Sequence, residues 1–374
     1  MRVQHCLLFK HFQIYIAEIS SARLRGVAIG FRQILLCVGL IIVYFLGSFQ
    51  SFKYYYSALV ISGIAVLYVL MAVFVCETPR WLLMRGYQSR AIATLKKLRG
   101  EHFDIRPELE KLETDIARSR QLKLTDILKS FTTRSVLAPF FTVVFAVFFQ
   151  QVGGLTAATG YSAPIFKSAD VKHYRQTATY ASGGIQLVST IVSVFLIDIL
   201  GRKILLIISG AGTLLGTVML GTHFFITRPS LCHNVTVSLS DSLLQAASNV
   251  PDDIDCNKQF APLAIVSLVI FYASFTFGWG PIPAVLVGEM LPLRVRGVAS
   301  GVISFLSWGT ATIVSGTYFN YTQVVKPWFA WWSFSLANLA GVLFVVFFVF
   351  ETKGKSLEEI EERFKKKQCI QCGC

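Results

Sequence analysis

Four glutamine side chains lie inside long apolar stretches, where an uncharged amide is costly to bury without hydrogen-bond partners. They are Gln33, Gln150, Gln151 and Gln186. An amide offers two donors and an acceptor, so each is expected to face a cavity or another helix. An interhelical hydrogen bond would explain a single glutamine equally well. The adjacent pair Gln150–Gln151 precedes a glycine-rich break, and this favours a binding role for the pair.

Two apolar stretches carry residues that break helices. Gly153, Gly154 and Gly160 weaken the helix that follows the glutamine pair, and the sequence GPIP interrupts a second one at 280–283. Each proline removes a backbone donor and clashes with the preceding turn. Broken helices within a membrane line cavities and act as hinges, although a packing kink would give the same pattern.

Composition identifies the elements that must position these residues. The chain is 54% hydrophobic and 15% charged, whereas soluble domains are roughly 25% charged. Since about 20 apolar residues span a bilayer, we predict an all-α membrane protein surrounded by lipid bilayer. The stretch 6–17 is too short for a further span and contains Lys10. The predicted spans are 27–49, 56–76, 135–166, 177–197, 204–227, 259–288, 297–325 and 327–350.

The net charge of +14 is concentrated in short loops and in one linker. This is the pattern of cytoplasmic segments, so no nucleic-acid partner is predicted. With linker 78–134 placed in the cytoplasm, the main basic loops fall on one side of the membrane. The two glycosylation sequons, which begin at Asn234 and Asn320, fall on the other side. We predict a glycan at Asn234, whereas Asn320 lies close to the membrane.

The remaining chemistry-bearing residues favour neither an enzyme nor a metal site. The six histidines are scattered, and no nucleophile lies beside a base. Cys232 and Cys256 flank the loop placed outside and could pair there. No cofactor is predicted.

A thirteen-residue stretch occurs twice, as EISSARLRGVAIG at 18–30 and EMLPLRVRGVASG at 289–301, with seven identities. Two related halves are typical of secondary transporters, whose substrate binds between the halves. The second half has four spans before its copy, whereas the first has only the short stretch 6–17. The chain therefore resembles a two-half transporter that lacks three amino-terminal spans and part of a fourth, as an incomplete gene model, a fragment or a short isoform would.

Charged residues of both halves are predicted to lie on the cytoplasmic face and to form a gate. Ion pairs between the halves would hold the inside closed and would break for release. The alternative is that the basic residues only set the topology. The predicted gate residues are Glu18, Arg25, Asp198, Arg202, Glu289, Arg296 and Glu351.

Five motifs resemble the sugar porters of the major facilitator superfamily. They are CETPRWLL at 76–83, QQVGGLTAATGYS at 150–162, DILGRK at 198–203, GWGPIPAVLVGEMLPLRVRG at 278–297 and FETKGKSLEEIEERF at 350–364. The loop before the tenth helix and GWGPIP resemble class III facilitative glucose transporters, and insect trehalose transporters are similar.

The resemblance implies a major facilitator helical bundle with about nine of twelve transmembrane helices and short cytoplasmic linker helices. Residues 1–77 would form a partial amino-terminal bundle, helices four to six of the family, and 78–134 a helical linker. Residues 135–351 would form the six-helix carboxyl-terminal bundle and 352–374 a cytoplasmic tail. The plasma membrane or an endolysosomal membrane is expected.

The resemblance also implies a substrate site. Gln33, Gln150 and Gln151 fall on the family's sugar-binding glutamines, Gln186 falls on a further polar position, and Gly280 lies in the GPIP break. Trp308 is retained. Three positions depart from the family: Thr156 and Ser307 replace asparagines, and Ala284 replaces a tryptophan that would cover the apolar face of a sugar.

Two hypotheses follow from the resemblance. The first is a facilitative carrier of a hexose or related sugar that works by alternating access, with proton coupling left open. The second is a non-transporting membrane subunit that associates with a full-length carrier and restrains it.

Overall fold

The computed structural model describes residues 25–48, 54–73, 77–100, 104–120, 131, 133–160, 175–228, 256–291 and 293–353. Every element of regular structure in these ranges is an α-helix. The helices are α1 (Arg25–Ser48), α2 (Tyr54–Val73), α3 (Pro79–Met84), α4 (Gln88–Arg99), α5 (Arg106–Arg120), α6 (Arg134–Val152), α7 (Leu155–Gly160), α8 (Arg175–Leu200), α9 (Arg202–Ile226), α10 (Cys256–Phe277), α11 (Ile282–Met290), α12 (Leu293–Val325) and α13 (Pro327–Phe348).

Six stretches are long and apolar enough to cross a membrane, and they coincide with six of the eight predicted spans. The other two predicted spans form α1 and α2, which contain the shorter apolar segments Gln33–Leu46 and Ala58–Met71. The all-α membrane architecture is therefore confirmed. The six stretches are Val136–Thr159, Tyr180–Ile197, Arg202–Ile226, Phe260–Met290, Val295–Val325 and Pro327–Phe348.

Both predicted helix breaks are present. The first separates α6 from α7 at Gly153 and Gly154, and Gly154 has a φ of 95°. A side chain there would be strained, and its Cβ would lie 3.0 Å from the Phe334 ring. The second break separates α10 from α11 at residues 278–281.

Close approaches of α9 to its neighbours fix the position of the second break. A Cβ at Gly216 would lie 2.8 Å from the backbone nitrogen of Phe271 on α10, and one at Gly210 would lie 2.9 Å from Nε1 of Trp279. Small residues at such contacts let helix backbones approach each other inside a membrane. The α10–α11 break is thereby packed directly against α9.

The linker helices α3 to α5 form a small unit of their own. Thr78 caps α3 by accepting a hydrogen bond from the Trp81 amide at 3.2 Å, with Pro79 as the first helical residue. Arg99 and Glu108 form an ion pair at 2.7 Å, and the hydrogen bond from Arg99 holds the pKa of Glu108 below its usual value. The linker, which was predicted to be helical, contains α3, α4 and α5, and its residues 121–130 lie outside the described residues.

Helix α2 is apolar on all sides. Each of its described side chains is exposed, for example Leu59 at 61%. A helix with this pattern needs an apolar environment, and lipid acyl chains provide one.

Candidate substrate site and charged end of the bundle

Gln150 joins the two helix breaks. Its Nε2 donates to the carbonyl oxygens of Trp279 and Gly280, at 2.6 and 3.1 Å. A break frees backbone carbonyls from their helical partners, and inside a membrane these need a donor from the protein. The predicted site residues Gln150 and Gly280 are therefore in direct contact.

Three serines satisfy other backbone groups around the α10–α11 break. Ser209 of α9 accepts a hydrogen bond from the Trp279 amide at 3.0 Å and donates to the Ser274 carbonyl at 2.6 Å. Ser189 and Ser193, four residues apart on α8, donate to carbonyls of α10. The sequence analysis did not single out these serines, although their spacing on one face of an apolar helix was a usable signal.

Gln151 connects α6 to α12. Its Nε2 donates to Ser307 Oγ at 3.0 Å, so the serine that replaces the family's asparagine still holds the amide. The neighbouring Trp308 side chain is 46% exposed. Ala284 is half-buried on α11.

Several buried polar atoms lack a hydrogen-bond partner among the described residues. Two belong to predicted site residues, Gln186 Nε2 and Thr156 Oγ1. Two more are the hydroxyls of Tyr44 and Tyr272, which composition alone did not distinguish from packing residues. An unpaired buried polar group costs about 1–3 kcal/mol, and polar groups left open for a ligand are typical of binding sites.

The contact between α1 and α8 places Gln33 and Gln186 on one interface. Cys37 Sγ lies 3.3 Å from Thr190 Oγ1, and a Cβ at Gly183 would lie 2.9 Å from Ile41. These pairings make the two helices antiparallel. Gln33 precedes Cys37 by four residues, and Gln186 precedes Thr190 by four. The two glutamines therefore lie about 6 Å on either side of the Cys37–Thr190 contact.

One end of the carboxyl-terminal bundle carries a charged network. Arg202 donates to Glu289 Oε1 through Nη2 at 2.8 Å and Nε at 3.2 Å. The Thr352 hydroxyl donates to the second oxygen of Glu289 at 2.6 Å. Charge-assisted bonds of this kind are the stronger class of hydrogen bond, and they join the start of α9 to the end of α11.

Glu351 caps the amino terminus of α9. Its carboxylate accepts the backbone amides of Arg202 and Lys203 at 2.9 and 3.0 Å, as well as that of Lys353 at 2.9 Å. Partial burial alone would raise the pKa of Glu351, but these amide donors outweigh it and lower the pKa below its usual value. The positive end of the helix dipole acts in the same direction.

The hydrogen bonds described above for the predicted gate residues Arg202, Glu289 and Glu351 join residues of the carboxyl-terminal half to one another. Arg296 donates to the carbonyl of Leu291 at 2.9 Å. Glu18 lies outside the described residues, as do the side chains of Arg25 and Asp198. Ion pairing between the halves therefore stays a prediction.

The predicted modification sites are also outside what the structure describes. Asn234 and Cys232 fall in the segment 229–255, and the side chain of Cys256, the first residue of α10, is not described. Within the described ranges, no group of three or more His, Cys, Asp or Glu residues could hold a metal ion.

Known proteins share both the sequence and the fold. A family model described as "Sugar (and other) transporter" matches residues 12–364. A facilitated trehalose transporter Tret1-2 homolog of Drosophila sechellia is 31% identical over 352 residues, covering 94% of this chain and 66% of the relative. Tret1 of Polypedilum vanderplanki is 31% identical, covering 94% and 64%. The chain thus spans slightly less than two thirds of the length of these relatives.

Among solved structures, the proton:xylose symporter XylE bound to 6-bromo-6-deoxy-D-glucose superposes with a TM-score of 0.71. It is 26% identical, and the match covers 94% of this chain and 70% of that one. The chain is therefore an integral, multi-pass membrane protein of the major facilitator fold, and it belongs to the sugar transporter family.

Proposed function

We propose that this protein carries a hexose or a related sugar across a membrane by facilitative transport with alternating access. The observation that supports this most directly is the convergence of neutral polar groups on two broken helices. Gln150 and Gln151 reach from the end of α6 to the α10–α11 break and to α12. Gln186 Nε2 and Thr156 Oγ1 are buried and unpaired, so they are available to sugar hydroxyls.

Neutral amides and hydroxyls suit a polyhydroxylated ligand. Each sugar hydroxyl donates one hydrogen bond and accepts others, and an amide offers both functions in one group. The fully buried Tyr272 and the half-buried Tyr44 add two unpaired hydroxyls. Ala284 lacks the aromatic ring found in the family, so less of the apolar face of a sugar is proposed to be covered at this position.

The same substitutions affect how large a sugar the proposed site could hold. Alanine at position 284 and the shorter side chains of Thr156 and Ser307 leave more room than the family's tryptophan and asparagines. The similar proteins are named for trehalose and for xylose, so a panel for this chain includes both sugars beside glucose.

Alternating access is proposed to use the two breaks and the charged network. The breaks allow half-helices to bend while the rest of the bundle stays rigid. The bonds of Arg202, Glu289 and Glu351 would hold the intracellular end in one arrangement. Residues Glu18 and Arg25 of the first half would complete this network in the closed state.

The test is uptake of radiolabelled sugar in yeast cells that lack their own hexose carriers. We expect saturable uptake of at least one of glucose, trehalose and xylose. A matched pair of variants tests the site: Gln151→Leu should weaken uptake, and Thr312→Val should not, because the Thr312 hydroxyl bonds only its own helix at Trp308. Uptake that a protonophore abolishes would reject facilitative transport in favour of proton symport.

Association with a full-length carrier is the alternative proposal, and the exposed apolar surface of α2, which lipid or another membrane protein would cover, is where the carrier would bind. Co-expression with such a carrier tests it. Loss of the carrier's uptake on co-expression, without uptake by this chain alone, would favour the restraining role. Independent uptake by this chain would reject it.

A further inference from the structure

The break between α6 and α7 is held by an amide on α13. Nδ2 of Asn338 donates to the carbonyl oxygen of Gly153 at 3.2 Å. Regular helical bonding resumes one residue later, where the Ala158 amide donates to the Gly154 carbonyl at 2.8 Å. The Asn338 bond therefore falls on the peptide group at which the helix bends.

Asn338 is itself fixed by its surroundings. Its side chain is 8% exposed, and Nδ2 lies 3.5 Å from Thr217 Oγ1 on α9. Thr217 is completely buried and donates its own hydroxyl hydrogen to the Thr213 carbonyl at 2.9 Å. Its oxygen is thus directed to accept from the amide. The helices α9 and α13 pack closely, so the amide is anchored to a rigid pair.

The contact extends along one face of α13. Phe334, Asn338 and Gly341 are spaced as neighbours on a helix face. Phe334 lies against Gly154, Asn338 Oδ1 would lie 2.7 Å from a Cβ at Gly153, and a Cβ at Gly341 would lie 3.2 Å from Phe149. This face follows the bent path of the α6–α7 segment on both sides of the break.

We infer that Asn338 is a positioning residue that holds the α6–α7 hinge in its bent arrangement. Burying an asparagine in an otherwise apolar membrane helix costs free energy unless its amide is hydrogen-bonded. An aliphatic side chain at this position, like those of the nearby Leu339 and Val342, would fill the same space but would offer no hydrogen-bond donor. The bond to a backbone carbonyl at the hinge gives the asparagine its role. The hinge role rests on the proposed function, because it presupposes a transporter that changes conformation.

Hydrogen–deuterium exchange of the purified chain in nanodiscs tests the hinge without requiring transport. Asn338→Leu keeps the number of side-chain heavy atoms and their branching, and it removes the donor. The amides of Ala157 to Thr159 should then exchange about fivefold faster, the factor that corresponds to one net hydrogen bond of about 1 kcal/mol. Amides in the centre of α9, near Leu206 to Thr213, should be unchanged.

Ser335→Ala is the matched control. Ser335 is 6% exposed on the same helix, but its hydroxyl bonds the Trp331 carbonyl within α13. Its removal should leave exchange in α7 unchanged. Asn338→Met serves as the second variant if the leucine variant does not purify, because it also lacks a donor for the Gly153 carbonyl.

Equal exchange in α7 for wild type and Asn338 variants would overturn the inference, as would a rise spread over all helices. Sugar uptake adds an independent readout. The maximal rate should change in Asn338→Leu while the dissociation constant of the sugar stays within about twofold. A wild-type chain that takes up no sugar would reject the proposed function, whereas the exchange comparison would still decide the role of Asn338 at the bend.

Discussion

Gly201 and Glu351 form a pair whose coupling can be worked out from the structure. Gly201 precedes α9 with φ 87° and ψ 163°, a region essentially restricted to glycine, where another residue costs about 1–3 kcal/mol. A Cβ at this position would also lie 2.6 Å from Glu351 Oε2 and 2.8 Å from its Cδ. Gly201→Ala therefore strains the backbone and displaces the carboxylate that caps α9.

The expected magnitudes follow from the bonds that are lost. Hydrogen bonds to a charged group contribute about 1.5–3 kcal/mol each, and partial exposure of Glu351 reduces this contribution. We expect Glu351→Ala to lower the free energy of unfolding by about 2–3 kcal/mol, including the dipole contribution. Gly201→Ala should cost about 3–6 kcal/mol, because it adds the backbone strain to the loss of the cap.

The double variant separates these two effects. If the alanine at 201 already displaces the carboxylate, removing Glu351 as well should cost almost nothing further. The coupling energy should then be about 2–3 kcal/mol in the free energy of unfolding, measured in mixed detergent–SDS micelles. Gly309→Ala is the control, since a Cβ there meets no atom within 4 Å. Additivity of the two single variants within about 0.5 kcal/mol would refute the argument.

Three further predictions concern the site and the charged end. Gln150→Leu leaves the Trp279 and Gly280 carbonyls without their donor, and sugar uptake at low concentration should fall at least about tenfold; unchanged kinetics would remove Gln150 from the site. Exchanging the charges of Arg202 and Glu289 should restore part of the uptake that either single reversal removes, whereas a double variant as inactive as the singles would show that their pairing is not what matters. Because the pKa of Glu351 is lowered in the fold, its stabilisation is present above the usual glutamate pKa and is lost as pH falls below about 4.5 through the folded-state pKa; the unfolding free energy of Glu351→Gln should vary less over that range.

Several features were predictable because they depend on residues close in sequence. Apolar length predicts a membrane helix directly, since the bilayer sets the requirement. Glycine and proline act on their own backbone, and both breaks, at Gly153–Gly154 and at 278–281, occur where the sequence placed them. The motifs that resemble the family occur in the family's order, and this predicted the order of the spans and breaks along the chain.

The same rule that selected the glutamines was available for one residue that was missed. Asn338 is also an amide within an apolar stretch, and its bond to Gly153 joins residues 185 positions apart. Tyr44 and Tyr272 carried no such signal, because a tyrosine in a membrane helix is compatible with simple packing. Their unpaired hydroxyls are recognisable only after burial is known.

The sequence by itself determined the membrane class, the broken helices, the repeated motif and the types of polar groups inside the spans. Tertiary structure decided which of those polar groups are already hydrogen-bonded within the protein. Gln150 and Gln151 bond a helix break and Ser307, whereas Gln186 Nε2 stays unpaired. The physical reason is that hydrogen bonds and ion pairs between helices depend on the relative rotation and height of whole helices. Packing contacts such as Gly216 against Phe271 set that geometry, and no local pattern encodes it.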